Sequence, residues 1–123
     1  MNFKQYNQHQ TVLFPYSFND LIPEKHPVRV VDQVVEAINI QALLKTYKKE
    51  GNPSYHPKML LKVMLYAYMT NIYSSRKIEQ ALRENINFMW LSSMTIVDHN
   101  TINRFRGDKL QQVFKEIFKQ VVL

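Results

Sequence analysis

The stretch YHPKMLLKVMLYAYMTNI, residues 55–72, decides the fold. It opens on His-Pro. Proline is pre-set for the first position of a helix, and it keeps the residue before it, here His56, out of the α region. From Met59 to Met69 the residues are apolar on almost every side of a helical wheel, with Lys62 the one interruption. A helix that is apolar all round belongs in the middle of a protein, with others packed round it. The run MLLKVMLYAYM is far shorter than the ~20 residues a bilayer requires, so it reads as a core helix. Met59, Met64 and Met69 are flexible filler for that core.

Upstream, KHPVRVVDQVVEAI repeats the His-Pro start, with Pro27 at the first helical position. Val30, Val31, Val34, Val35 and Ile38 supply its apolar spacing, in a helix made by packing rather than by propensity. IQALLKTYKKE follows with Leu43, Leu44 and Tyr47 as its inward set, and EGNPS, residues 50–54, breaks the chain. Residues 1–26 read as largely irregular and packed on the body through Phe14, Tyr16 and Phe18, with one helical turn near 19–22. Pro15 argues against a regular strand there.

Downstream, SSRKIEQALREN reads as a helix capped by Ser74 or Ser75 and buried through Ile78, Ala81 and Leu82. INFMWLSS offers another turn, anchored by Phe88, Met89 and Trp90. MTIV is a short link. DHNTINRFR, residues 98–106, is a short helix capped by Asp98, and Gly107 ends or interrupts it. DKLQQVFKEIFKQVVL is amphipathic, with Leu110, Val113, Phe114, Ile117, Phe118 and Val121 at helical spacing. Its apolar stripe still runs at Leu123, as in an excised piece of a longer protein or a truncated reading frame. The expected fold is therefore all-α: a compact multi-helix domain over residues 27–123, behind the irregular 1–26.

The bulk composition fits that reading. With 123 residues, 46% of them apolar, the chain can build one core. Two glycines and five prolines exclude collagen-like and disordered classes. Cysteine is absent, which removes disulfides and thiolate metal sites. No secretory signal opens the chain, and a cytoplasmic location without membrane contact is expected. The formal charge of +6 favours anionic partners such as nucleic acid.

Two segments carry that charge in an ordered way. On a wheel for residues 98–106, Asp98, Thr101, Ile102 and Phe105 share one side, and Asn100, Asn103 and Arg104 the other, with His99 and Arg106 flanking. Asparagine matches the adenine edge in the major groove, and arginine matches guanine or a phosphate. The bland reading is a solvated polar face. In the preceding helix Arg76, Gln80 and Arg83 lie opposite the apolar stripe, with Lys77 beside them. A Glu79–Arg83 pair explains Arg83, but Arg76 and Lys77 have no such partner and oppose the helix dipole. A phosphate accounts for them. Together the two segments suggest a helix-turn-helix-like unit, although the link from 84 to 98 is far longer than the usual ~3–4-residue turn: either INFMWLSS supplies an inserted turn, or the motif pairs residues 57–71 with 75–84 instead. Arg76, Lys77, Arg83 and Arg106 are the expected phosphate contacts. Asn100, Asn103 and Arg104 are expected nearest the bases. No metal-ligand spacing, convergent carboxylate pair or glycine-rich phosphate loop is present.

LIPEKHPVRVV, SYHPKMLLKVMLYAYMTNIYSSRKIEQALRENINFMWLS and DHNTINRFR, in that order, resemble the N-terminal helical domain of DDE transposases from bacterial insertion sequences. The resemblance runs from about residue 10 to residue 122. The family pattern usually places Pro before the Asp of the last motif, where this chain has Val97. That departure touches the helix entry and not the polar face. The resemblance implies a domain that binds the terminal inverted repeats of its element as double-stranded DNA. It further implies a following RNase H-like catalytic domain with three carboxylates and two divalent metal ions. None of those carboxylates can be placed here, so no catalytic residue, metal ligand or cofactor is expected in this chain. The other reading is a helical protein-interaction or oligomerisation module of the same transposase. Its stripe Leu110–Val121 would dock the missing catalytic domain or a second copy as a homodimer.

Overall fold

A computed structural model describes residues 8–9, 17–47 and 55–120. Along the chain run α1 (Phe18–Leu21), α2 (Pro27–Ala37), α3 (Gln41–Leu44), α4 (Pro57–Met69), α5 (Ser75–Glu84), α6 (Ile86–Leu91), α7 (His99–Arg104) and α8 (Gln111–Phe118). A wider π-helical segment, Phe105–Leu110, joins α7 to α8. No strand occurs among the described residues, and the fold is all-α. The expected contacts of Phe14 and Tyr16, the break at 50–54 and the last anchor, Val121, lie outside the described residues.

Both His-Pro sequences start helices, and each histidine does more than precede the proline. Nδ1 of His26 accepts the Val28 N–H, and Nδ1 of His56 accepts the Lys58 N–H, each at 3.0 Å. Each ring thus satisfies one of the N–H groups that a helix start leaves unpaired. α4 then runs through the core, burying Leu60, Leu61, Val63, Met64, Tyr66 and Ala67. Met69, at its end, is exposed rather than core filler.

α2 and α6 pack against α4. From α6 the Phe88 ring lies fully buried, 5.0 Å from the Tyr66 ring, and Asn87 Nδ2 donates to the Tyr66 hydroxyl at 3.2 Å. α2 buries Val28, Val31 and Val35. The expected inward set is shifted: Val30 is 52% exposed, and Val28 takes its place. Valines sit on several sides of this helix, so their spacing alone leaves the buried face ambiguous. The start imposed by Pro27 and the packing on α4 select it.

Arg29 fastens the N-terminal turn to this scaffold. Its guanidinium donates to the Pro23 carbonyl at 3.0 Å, to Asn19 Oδ1 at 2.8 Å and to the Ile22 carbonyl at 2.8 Å. It also lies 5.1 Å from the centre of the Trp90 ring. α4 ends in a Schellman turn. Asn71 stands at φ 62°, Ile72 N–H reaches the Ala67 carbonyl at 2.8 Å, and Asn71 N–H reaches that of Tyr68 at 3.2 Å. The chain emerges from this turn directly into Ser74, the cap of α5.

At the C-terminal end, α8 packs against α3. The Gln120 amide takes the Asn39 N–H at 2.8 Å and donates to the Asn39 carbonyl at 2.9 Å. Of the two expectations for Gly107, interruption holds and ending does not: the α-helix gives way to the π-helical segment, and the backbone continues through Gly107. Phe114 is 46% exposed, although Leu110 and Ile117 of the same stripe are buried. The Phe114 ring packs instead against that of Phe118, with centroids 4.5 Å apart.

Candidate nucleic-acid interface

The Ser74 hydroxyl accepts the Lys77 N–H at 3.4 Å and so starts α5. At the head of α7, Asp98 accepts the Thr101 hydroxyl at 2.6 Å and the Thr101 N–H at 3.2 Å. These bonds, the hydroxyl first, hold the Asp98 carboxyl below the usual carboxylate range. α5 buries Ile78, Ala81 and Leu82, and α7 buries Ile102, followed by Phe105. The two helices pack on one another with their polar sides outward.

Two contacts fix how they sit. Near the middle of α5, Glu79 accepts the backbone N–H of His99 at 2.8 Å and faces the His99 Nδ1 at 3.2 Å. The His99 backbone bond, then its ring, lower the Glu79 pKa. At the other end Arg106 donates to the carbonyl of Tyr73, just before α5, at 2.6 Å. The start of α7 therefore lies by the middle of α5, and its far end by the start of α5.

That orientation places the sequence-derived residues. Arg76 and Arg83 lie three residues before and four after Glu79, so they share the side of α5 that faces α7. Asn103 and Arg106 lie four and seven residues after His99, on the side of α7 that faces α5. Arg106 Nη2 donates to Asn103 Oδ1 at 3.0 Å, tying the two together. The structure brings Asn103 and Arg106 together, and helical spacing sets Arg76 and Arg83 along the same join, which we call the seam. Asn100 and Arg104 form its outer wall on α7, and both are exposed. Lys77 is exposed on the opposite flank of α5, away from the seam.

The expected pairing of Glu79 with Arg83 is loose. Arg83 Nε stands 4.0 Å from Glu79 Oε2, while the shorter bonds of that carboxylate go to His99. Arg83 is left largely open to solvent. Sequence reading missed the Glu79–His99 clamp because its partners lie 20 residues apart on different helices, and no local spacing marks them. Other carboxylates near the seam are also occupied: Asp98 by Thr101, and Glu84 by the Gln80 amide at 3.1 Å. Such a surface offers guanidinium forks and amides to an anion, the pairing that suits phosphates and base edges.

A family model, Transposase domain (DUF772), matches residues 16–108. The chain belongs to this family. No curated protein and no solved structure gives a match. The matched span of the transposase domain contains both α5 and α7. Among the described residues no three His, Asp or Glu side chains gather where they could hold a metal ion. No helix of the described transposase domain is long and apolar enough to cross a membrane.

Proposed function

We propose that this chain is the DNA-recognition domain of a DDE-type transposase from an insertion sequence, and that it holds the terminal inverted repeats of its element along the α5–α7 seam. What supports the reading is the packing of α5 on α7, the Arg106–Asn103 bond at their join, and the helical spacing that sets Arg76 and Arg83 on the same side, with Asn100 and Arg104 exposed beside them. The arginines of α5 and Arg106 contact phosphates. Asn100, Asn103 and Arg104 reach for base edges. Lys77, on the far flank, contributes to the field more than to a direct contact. The unit is a variant of a helix-turn-helix in which α6 stands where a short turn would be. Strand chemistry belongs to a separate domain that supplies its own carboxylates and two divalent ions.

The test is binding of the chain to a duplex of its own element's end, titrated with salt. Each phosphate neutralised adds about −0.9 to the slope of log K against log salt, so three arginines predict a slope of about −3. Arg104→Ala is expected to weaken binding to the end sequence by ~1–3 kcal/mol and to relax sequence preference. Equal binding of the end sequence by wild type and Arg104→Ala would remove the base-reading assignment.

A further inference from the structure

A cleft of about 450 Å³ opens beside the seam, between the end of α4 and the π-helical segment. Tyr68, Asn103, Arg106, Gly107, Phe114 and Lys115 line it. Its volume falls within the ~300–1,000 Å³ of small-ligand sites. Two aromatic side chains, two cations and two amides, Asn103 and Gln111, surround it, and none of its lining residues is a carboxylate. The Tyr68 ring stacks on that of Tyr73, with centroids 6.1 Å apart and planes at 29°. Tyr73 itself is 58% exposed at the entrance to α5. A Cβ built on Gly107 would meet no atom within 4 Å, so the cleft is open on that side.

We infer that this cleft receives a single unpaired nucleotide of the bound DNA. The inference rests on the DNA-binding reading above. Asn103 and Arg106 belong both to the seam and to the cleft, so a strand held on the seam passes its mouth. A base displaced from its stack loses aromatic neighbours and a paired edge. Tyr68 and Phe114 replace the first, and Asn103 offers an amide to the second. Arg106 and Lys115 meet the phosphate that travels with the base. Aromatic stacking of this kind tolerates any base, so the site selects for an unpaired nucleotide rather than for its identity. The π turn contributes as well, because it carries Arg106 and Gly107 and such turns frequently mark functional sites.

The experiment compares two duplexes identical except that one carries a single unpaired adenosine. The whole chain is used, with affinities measured at low salt. Wild type is expected to bind the bulged duplex about 10-fold more tightly. Phe114→Ala removes one wall, and Gly107→Met puts a long side chain on the open side, where the added Cβ meets no atom within 4 Å. Both variants are expected to keep wild-type affinity for the paired duplex and to lose the preference. Equal affinity of wild type for the two duplexes overturns the inference and leaves DNA binding standing. A preference that survives in both variants overturns it too. Failure to bind either duplex overturns the DNA-binding reading, and this inference with it.

Discussion

Two helix pairs in this small domain treat charge in opposite ways. Where α2 meets α4, cations and carboxylates are matched: Lys62 stands 2.7 Å from both Asp32 and Glu36, and Lys58 stands 3.2 Å from Glu36. Where α5 meets α7, the Glu79 carboxylate turns to the backbone and ring of His99. Arg83 is left 4.0 Å away, and Arg76 faces solvent on the same side. The first pair is electrically closed and holds the fold. The second has cations in surplus, and that surplus is what an external polyanion can use.

The largest effect should come from the core round α4, on which the closed pair is built. Phe88 is fully buried against Tyr66 and α4. Phe88→Ala removes a core ring and leaves a cavity, which typically costs ~3–5 kcal/mol. In a domain of this size that is a large share of the whole stability. Urea unfolding followed by helical circular dichroism should show a much lower midpoint, with DNA binding lost only as the fold is lost.

Arg76→Ala probes the open half and should invert that pattern. Arg76 is exposed on the seam, so stability should stay within about 0.5 kcal/mol of wild type. Affinity for duplex DNA should fall about equally for every sequence, with the salt slope shallower by about 1. A variant that unfolds more readily yet binds DNA as well as wild type would reverse the roles assigned to the two halves.

The closed half was the more legible in the sequence, and the reason is physical. α4 is apolar on nearly all sides, so its central position does not depend on knowing the neighbours. Helix starts are local chemistry, and Ser74, Asp98, Pro27 and Pro57 lie at the starts they signal. The face of α2 was harder, since several of its valines compete for one core, and Val28 rather than Val30 is buried. In the open half, the outward side of residues 98–106 could be read from the positions of Ile102 and Phe105. What joins that side to α5 could not. The clamp between Glu79 and His99 spans 20 residues and a third helix, and the π turn at 105–110 has no spacing of its own. Sequence periodicity finds faces; it does not say which faces meet.

Lys62→Met sharpens the contrast from the closed side, with a smaller effect. The Lys62 side chain is only 13% exposed, but its carboxylate partners are wetter, so solvent screens the pairs. The expected loss is ~1 kcal/mol, with DNA affinity unchanged. Its pH signature is distinctive. Burial opposes the Lys62 charge, but Asp32 and Glu36 outweigh it and hold its pKa above the ordinary value. That contribution is full below the unfolded value of ~10.4 and fades as pH rises through the folded one. Lys62, and then Lys58, hold the Glu36 pKa down. That contribution is present above ~4.3 and fades as pH falls through the folded value. The variant should therefore show a flatter stability profile at both ends, measured as denaturation midpoint against pH.

Gly107→Ala should produce the smallest change, and a gain. Glycine inside a helical segment costs up to ~1 kcal/mol relative to alanine, through the freedom it loses on folding. At position 107 an added Cβ meets nothing within 4 Å, so no steric penalty offsets the gain. Thermal unfolding should shift upward by a few degrees. Because a methyl group is small against a cleft of about 450 Å³, affinity for paired DNA should not move. A stabilised variant with undiminished binding would show that the π-helical join tolerates a stiffer backbone and that the seam needs side chains rather than mobility. A loss of affinity without loss of stability would place residue 107 itself in contact with the DNA, moving the boundary of the open half from the α5–α7 seam into the join with α8.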